Sequence, residues 1–256
     1  APDPAPHTVS PRLSVIIPRY NEHHTLREIV RRVLAARPRG FELEVLIVDD
    51  ASSDGSGRIA EELAAVHPEV RAILHPRNRG KGAAIRSAQR LSTGDLVVIQ
   101  DADLEYDPAD FAELVRPILD GRADVVYGSR FMGGRPRRTL LFWHSVGNRL
   151  LTLASNMATD LNLTDMMTCY KVFRGAHFRG IPLRSDRFGF EPEVTAKVAK
   201  LDLRLYEVPI DYHGRTYAAG KKVGWKDGVA AVLTILRYWL TDGLGGVDEG
   251  LETLQA

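Results

Sequence analysis

Apolar and polar residues follow two different periods in the first half of the chain. Short apolar runs rich in β-branched residues are typical of strands covered on both faces. Between these runs, apolar residues recur at the i, i+3, i+4, i+7 spacing of an amphipathic helix. One such helix follows a candidate N-cap at Asn21, and another follows Asp107 and Pro108. The predicted strands are residues 13–17, 44–48, 70–74, 96–99 and 124–127.

The alternation of strands and helices predicts an α/β fold with a mostly parallel central sheet flanked by helices. In such sheets, ligands bind beyond the carboxyl ends of the strands. Polar segments follow four successive predicted strands, so we expect their side chains to meet at one edge of the sheet and to form the functional site. These segments are PRYNE, DDASSDG, HPRNRGKG and DADLE.

The pattern after residue 127 predicts further helices and one late strand that Pro209 interrupts, as at an edge or a bulge. The last apolar segment predicts an amphipathic helix, whose stripe either packs on the core or rests peripherally on a membrane. We expect a single folded domain (12–228) between a flexible leader (1–11) and a C-terminal helix with its tail (229–256). The stripe consists of Val229, Val232, Leu233, Leu236 and Leu240.

Composition narrows the classes of function. The 256 residues include 34 basic and 33 acidic ones, a net charge of +1, whereas nucleic-acid-binding domains are typically strongly basic. No apolar run reaches the ~20 residues of a membrane span. Cys169 is the only cysteine, so no intrachain disulfide forms, which suits a reducing compartment. We expect a cytoplasmic protein without a nucleic-acid partner, with peripheral contact to the cytoplasmic membrane face as an option.

Three carboxylates follow the fourth predicted strand within five residues: Asp101, Asp103 and Glu105. Close acids repel one another unless a cation lies among them. Hard carboxylate oxygens suit Mg²⁺ or Mn²⁺, and such ions also bind substrate phosphates. A single acid would often be only a helix cap, but three at this spacing predict a metal site that holds a diphosphate.

Two other segments leave alternatives open. DDASSDGSGRIAE approaches an EF-hand loop, but a strand-like segment precedes it, so we exclude calcium. Asp49 or Asp50 therefore caps the turn, contacts a base and ribose, or does both. The glycines around Lys81 begin a helix, where backbone N–H groups favour an anion, although a Gly-rich turn without a ligand is an equal alternative. A Gly-x-Gly turn after the first strand is missing, which argues against NAD(P) and S-adenosylmethionine enzymes.

Taken in order, these segments resemble the family-2 glycosyltransferases of GT-A fold, and more narrowly the dolichol-phosphate mannose synthase and polyprenyl-phosphate glycosyltransferase group. The resemblance covers about residues 13–228. Two positions depart from the family pattern: Arg19 replaces a small or apolar residue, and Ala51 replaces glycine. The matching segments are SVIIPRYNE, VDDASSDGS, NRGKGAAIR, QDADLEYDP, VVYGSRF, TDMMTCYKVF, FEPE and YEVPIDYHGRTYAAGKK.

The resemblance implies a role for each matched polar residue. Asp103, Asp165 and Arg130 would lie at the reacting centre. Asp50 would lie near the base or ribose, and Arg215 would reach the phosphates from a late loop. The donor would contact Pro18, Tyr20, Glu22, Asp50, Lys81 and Asp101, and the metal would contact Asp101, Asp103 and Glu105. The acceptor phosphate would contact Arg130 and Arg149, and Arg215 and Lys221 would be further phosphate-binding residues from the late loop.

The implied reaction moves mannose or glucose, with inversion, from GDP-mannose or UDP-glucose to a polyprenyl or dolichyl phosphate in the presence of Mg²⁺ or Mn²⁺. A phosphate monoester has its second pKa near ~6, so it needs no general base. An alcohol acceptor would need one, and the candidates would be Asp165, Glu191, Glu193 or His213.

Several alternatives stay open at this point. The arginines between residues 130 and 149 favour a phosphate acceptor, unless Arg135, Arg137 and Arg138 form only a solvated basic face. The same donor chemistry could serve a soluble hydroxyl acceptor, and a non-catalytic nucleotide-sugar binder is a third possibility. If the terminal helix packs on the core, a membrane-protein partner could recruit the enzyme.

Overall fold

The computed structural model describes residues 10–133, 142–215 and 225–241. Arg135, Arg137, Arg138 and Lys221 therefore lie outside the described residues. The strands are β1 (Arg12–Arg19), β2 (Glu42–Asp49), β3 (Val70–Leu74), β4 (Leu96–Ile99), β5 (Val125–Ser129), β6 (Lys171–Arg174) and β7 (Leu205–Pro209). The helices are α1 (Leu26–Ala35), α2 (Ser56–Val66), α3 (Lys81–Gln89), α4 (Phe111–Leu119), α5 (Phe142–Thr159), α6 (Gly175–Gly180), α7 (Phe190–Lys200) and α8 (Trp225–Leu240), and a short 3₁₀ helix spans Pro108–Asp110.

The seven strands form one sheet in the order β3-β2-β1-β4-β6-β5-β7. All neighbours are parallel except β6, which runs antiparallel between β4 and β5. Alternate residues of the central strands enter two apolar clusters, one on each face of the sheet: Val15 and Ile17 lie in one, and Ile16 in the other. This two-sided burial explains why the strands read as continuous apolar runs. The predicted α/β class with a mostly parallel sheet is confirmed.

The local predictions for the first half hold with one correction. The side chain of Asp107 accepts a hydrogen bond from the backbone N–H of Ala109 at 3.0 Å, and Pro108 begins the 3₁₀ helix. The N-cap prediction for Asn21 is wrong, because α1 begins at Leu26 with Thr25 at its N-cap. Asn21 instead joins two loops, since its Oδ1 accepts from the backbone N–H of Ser53 at 2.9 Å.

Later elements also follow the sequence pattern, apart from the orientation of α8. Pro209 ends β7 at the edge of the sheet, where a missing backbone N–H costs no ladder bond. The terminal helix forms, but it packs inward through Ala231, Ile235 and Tyr238. The predicted stripe faces outward, which contradicts core packing of that stripe. Among the described residues, no helix combines the length and apolarity needed to cross a membrane.

Candidate functional site

The polar segments meet at one edge of the sheet, as their positions after the strands predict. The parallel strands β1, β2, β4, β5 and β7 end at this edge. Because β6 is antiparallel, it begins there, and the segment before it brings Asp165 and Cys169 to the same edge. The segment after β7 adds Tyr212 and Arg215.

Lys81, the first residue of α3, is tied to the acids of this edge. Its Nζ lies 2.9 Å from Oδ1 of Asp101, 3.1 Å from Oε1 of Glu191 and 2.9 Å from Sγ of Cys169. Burial alone would lower the pKa of Lys81, but the neighbouring acids outweigh it and raise that pKa well above its ordinary value. Burial and the charge of Asp101 also raise the pKa of Cys169 above its ordinary value, which disfavours the reactive thiolate form.

Arg215 lies among the acids that follow β1 and β4. Its Nη2 lies 3.0 Å from Oδ2 of Asp103 and 3.4 Å from Oε1 of Glu22. Both oxygens of Glu105 are already engaged: Oε2 accepts from the Tyr212 hydroxyl at 2.6 Å, and Oε1 accepts from the backbone N–H of Arg215 at 2.8 Å. Glu105 therefore holds the segment that carries Arg215.

The carboxylates after β4 fit a divalent ion only together with a ligand. No three His, Cys, Asp or Glu side chains are arranged as a ready set of metal ligands in the part of the chain that the structure describes. Burial, with the charges of Asp101 and Glu105, raises the pKa of Asp103 to about 7. Mg²⁺ is typically bound by one or two carboxylates plus substrate phosphates. Asp101 and Asp103 supply such a donor set, and each faces a cation, Lys81 or Arg215.

Arg130 and Asp165 form a buried, two-pronged ion pair. Nε and Nη2 of Arg130 lie 2.7 and 2.8 Å from the two carboxylate oxygens, and Asn148 on α5 donates to Oδ1 at 3.0 Å. Burial opposes the charged form of Asp165, but Arg130 lowers its pKa below the usual value. The guanidinium also stacks 5.2 Å from the ring centre of Tyr212. Asp165 therefore orients Arg130. A general base needs a carboxylate oxygen that can take a proton, and both oxygens of Asp165 already accept hydrogen bonds from Arg130 or Asn148.

Asp50 supports the glycine-rich turn. Its carboxylate accepts from the backbone N–H groups of Arg79 and Gly80 at 2.9 and 2.6 Å, and it lies 2.8 Å from Nδ1 of His75. Gly80 has φ 95°, and a Cβ there would lie 2.5 Å from the carbonyl oxygen of Asp186. Close chain packing therefore accounts for this glycine, which favours the turn alternative. A contact between Asp50 and the base or ribose stays a prediction.

The two departures from the family pattern lie beside this turn. The side chain of Arg19 is fully buried, with Nη2 3.0 Å from Oδ1 of Asp49, so its charge is not exposed to solvent. Ala51 has φ 59°, in the left-handed region that favours glycine. The usual glycine is therefore explained by the backbone conformation at this position.

Four predicted residues have still to be placed: Pro18, Tyr20, Glu22 and Arg149. Pro18 is buried in β1, Tyr20 is exposed beyond it, and Glu22 accepts from the Thr25 hydroxyl at 3.1 Å. Arg149 is exposed on α5, with its guanidinium 6.0 Å from the ring centre of Phe131.

Three supporting residues were not predicted from the sequence. Asn148 and Tyr212 contact the Arg130 pair, and Glu207 accepts from the backbone N–H groups of Thr164 and Asp165 at 2.8 and 3.1 Å. Their positions lie inside matched or helical segments, but no spacing rule links them to Asp165.

Comparisons with known proteins found a matching family model and relatives that cover most of the chain. The family model for glycosyl transferase family 2 matches residues 14–181. The undecaprenyl-phosphate mannosyltransferase of Micrococcus luteus is 33% identical over 252 residues, covering 94% of this chain and 97% of that protein. The polyprenol monophosphomannose synthase of Mycolicibacterium smegmatis is 30% identical over 229 residues, covering 87% and 85%.

A solved structure shares the fold. Glucosyl-3-phosphoglycerate synthase from Mycobacterium tuberculosis, in complex with Mn²⁺, UDP and glucosyl-3-phosphoglycerate, matches with a TM-score of 0.67 and 18% identity, covering 89% of this chain and 80% of that one. At that identity, the likeness shows the GT-A fold alone.

Proposed function

The chain belongs to glycosyl transferase family 2, and from that premise we propose that it moves a hexose from a nucleotide diphosphate sugar to a polyprenyl phosphate. Two relatives that span most of the chain are named an undecaprenyl-phosphate mannosyltransferase and a polyprenol monophosphomannose synthase. GDP-mannose is therefore our first choice of donor, and UDP-glucose is the second.

The observation that carries the proposal is the fixed guanidinium of Arg130. Arg130 is bound by Asp165, to which Asn148 also donates a hydrogen bond. The guanidinium stacks on the ring of Tyr212, whose hydroxyl donates to Glu105 at 2.6 Å. The side chain of Tyr212 therefore links Arg130 to Glu105, one of the acids that follow β4. Hydrogen bonds from a charged guanidinium to phosphate are strong, so an oriented arginine at this position supports an acceptor phosphate facing the donor diphosphate.

The surrounding carboxylates also favour a nucleophile that needs no base. Asp165 is bound to Arg130, Glu191 to Lys81, and Glu193 to Lys197. An alcohol acceptor would require one of these acids, or the exposed His213, to take a proton. A phosphate monoester is already largely ionised at neutral pH, because its second pKa is near ~6.

On the donor side, Asp101 and Asp103 would hold the Mg²⁺ or Mn²⁺ ion, and Lys81 and Arg215 would neutralise the diphosphate. When bound, such an ion stabilises the negative charge that develops on the leaving diphosphate. Arg215 pairs with Asp103 in this structure, so we expect its guanidinium to move from carboxylate to phosphate when the donor binds. Tyr20, exposed at the end of β1, would contact the nucleotide.

The proposal is tested by supplying GDP-mannose or UDP-glucose with a short-chain prenyl phosphate or the matching prenol, in Mn²⁺ or in EDTA. We expect sugar on the phosphate acceptor only, and none in EDTA. Arg130→Ala should raise the acceptor KM far more than the donor Kd, whereas Arg58→Ala, an exposed arginine on α2, should change neither. Transfer to the prenol alone would contradict the proposal, as would donor binding without transfer to any acceptor.

A further inference from the structure

Glu191 is a buried carboxylate that reaches the proposed donor site through Lys81. It lies in the first turn of α7 and is 2% exposed. Its Oε1 lies 3.1 Å from Nζ of Lys81, and the same nitrogen lies 2.9 Å from Oδ1 of Asp101. One lysine is therefore shared by two carboxylates, and of these two Asp101 is the candidate metal ligand.

The second oxygen of Glu191 has no hydrogen-bond partner among the residues that the structure describes. A buried polar atom without a partner is costly and rare in folded proteins, so it calls for an explanation. Lys171 is a buried lysine whose charge also acts on Glu191, but its Nζ donates to the carbonyl oxygens of Met166 and Thr168. Oε2 is therefore an open acceptor on the carboxylate that already contacts Lys81.

This acceptor matters when Asp101 changes its partner. The ammonium group of Lys81 has three N–H donors, and one of them loses its acceptor if Asp101 binds a metal ion instead. Because both oxygens of Glu191 belong to one carboxylate, Lys81 regains a bond by rotation of its side chain. The backbone at the start of α3 stays in place meanwhile, since Gly82 packs closely against the carbonyl oxygen of Ser185.

Charge favours the same exchange. A divalent ion on Asp101 would lie close to the ammonium group of Lys81, because both cations would have contacted the same carboxylate. Like charges at that distance repel strongly where solvent exposure is low, and a counter-charge that stays with Lys81 offsets the repulsion. Cys169 is also 2.9 Å from Nζ, but its raised pKa favours the neutral thiol. Glu191 is the counter-charge that remains.

We propose that Glu191 is a positioning residue of the donor site, which keeps Lys81 in place when Asp101 exchanges this lysine for a divalent ion. In this role Glu191 touches neither the ion nor the diphosphate and acts through Lys81. The inference rests on the proposed function, because it requires a divalent ion and a diphosphate at this edge of the sheet. It predicts that metal affinity depends on a carboxylate that is not a metal ligand.

The test is a double-mutant cycle on Mn²⁺ affinity, measured by electron paramagnetic resonance without nucleotide and with GDP or UDP. Glu191→Gln keeps the shape of the side chain and removes its charge, so Lys81 competes more strongly with the ion for Asp101. We expect the variant to bind Mn²⁺ at least fivefold more weakly. Lys81→Met has no ammonium group to hold, so adding Glu191→Gln to it should change the affinity less than twofold.

Glu44→Gln is the matched control for the loss of a buried carboxylate. Glu44 is buried at the opposite edge of the sheet, where β1 and β2 begin, and it accepts hydrogen bonds from Ser14 and Thr93. We expect this variant to be less stable than the wild type in urea unfolding and to bind Mn²⁺ with wild-type affinity. The control thus separates a loss of stability from a loss of positioning.

A crystal structure of the wild type with Mn²⁺ and GDP or UDP gives a second readout that does not depend on the folding of any variant. Nζ of Lys81 should lie within hydrogen-bond distance of Glu191 and should have left Asp101. A lysine that still contacts Asp101, or that has left Glu191, would overturn the inference.

The binding data distinguish failure of this inference from failure of the proposed function. Wild-type Mn²⁺ affinity in Glu191→Gln would overturn the inference alone. So would an equal loss in the wild-type and Lys81→Met backgrounds, because Glu191 would then not act through Lys81. A wild type that binds no Mn²⁺ with either nucleotide would overturn the inference together with the proposed metal site. The expected affinities without transfer to any phosphate acceptor would support the inference and refute the proposed acceptor.

Discussion

The ion pair between Arg130 and Asp165 allows the sharpest prediction about the acceptor side. Asp165→Asn keeps the shape of the side chain but removes its charge and replaces an accepting oxygen by an N–H group. Asp165 is fully buried, and the side chain of Arg130 is only 15% exposed. The variant therefore leaves a nearly buried cation without its counter-charge.

The cost follows from that burial. Removal of one partner of a buried ion pair costs about 3–5 kcal/mol, and the partial exposure of Arg130 suggests the lower end, about 3 kcal/mol. For a chain of this size, about 3 kcal/mol lowers Tm by about 6–12 °C. Because Arg130 also loses its fixed orientation, we expect the acceptor KM to rise at least tenfold while the donor Kd is unchanged.

Urea unfolding, calorimetry and steady-state kinetics measure these quantities. Asp120→Asn is the matched control, since it removes the same charge from an exposed pair with Arg122 and should cost less than about 1 kcal/mol. If Asp165→Asn unfolds like this control, or weakens donor and acceptor equally, then Asp165 does not fix Arg130 for the acceptor.

Three further outcomes test other parts of the site. Gly82→Ala should destabilise the protein by about 1–3 kcal/mol in urea unfolding, because the added Cβ would overlap the carbonyl oxygen of Ser185; wild-type stability would refute this packing. The raised pKa of Asp103 means that the metal-free folded state binds a proton more tightly than the unfolded state, so its stability should fall as pH rises from about 4 to about 7. Asp103→Asn should therefore raise Tm at pH 7.5 but not at pH 4, and an equal shift at both values would contradict the assignment. Arg215→Met should bind Mn²⁺ more tightly than the wild type without nucleotide, as followed by electron paramagnetic resonance, because a competing cation is removed; weaker binding would show that Arg215 does not compete.

The sequence predicts the frame of the fold well, because the signals that it uses are local. The continuous apolar runs identify the central strands, and the polar segments after them identify the site edge. The position of β6 is different, since nothing in the four residues Lys171–Arg174 indicates an antiparallel strand between β4 and β5. That placement depends on long-range packing, and it is what brings Asp165 beside Arg130.

The orientation of α8 also exceeds what apolar spacing can predict. The spacing of large apolar residues shows that one side of α8 is apolar. It does not tell whether that side packs against the core of the protein. In α8 the small Ala231 and the Tyr238 hydroxyl, which donates to Oε1 of Glu193 at 2.8 Å, fit the inward side. Larger aliphatic residues remain outside.

The roles of single acids are likewise set by their partners. Glu105 follows the same spacing as Asp101 and Asp103, but Tyr212 and the backbone of Arg215 engage both of its oxygens. These partners lie more than a hundred residues later in the chain. Spacing therefore predicts where the acids gather, and only the fold determines the partners that each acid has.

The central claim is that Asp101 and Asp103 hold a divalent ion together with a diphosphate. Isothermal titration of Mn²⁺ with and without GDP or UDP measures it directly, in the wild type, in Asp103→Ala and in the exposed control Asp186→Ala. We expect nucleotide to strengthen Mn²⁺ binding in the wild type and in the control, and Asp103→Ala to lose at least tenfold in that affinity with its fold intact. Wild-type Mn²⁺ affinity in Asp103→Ala, with nucleotide present, would contradict the account.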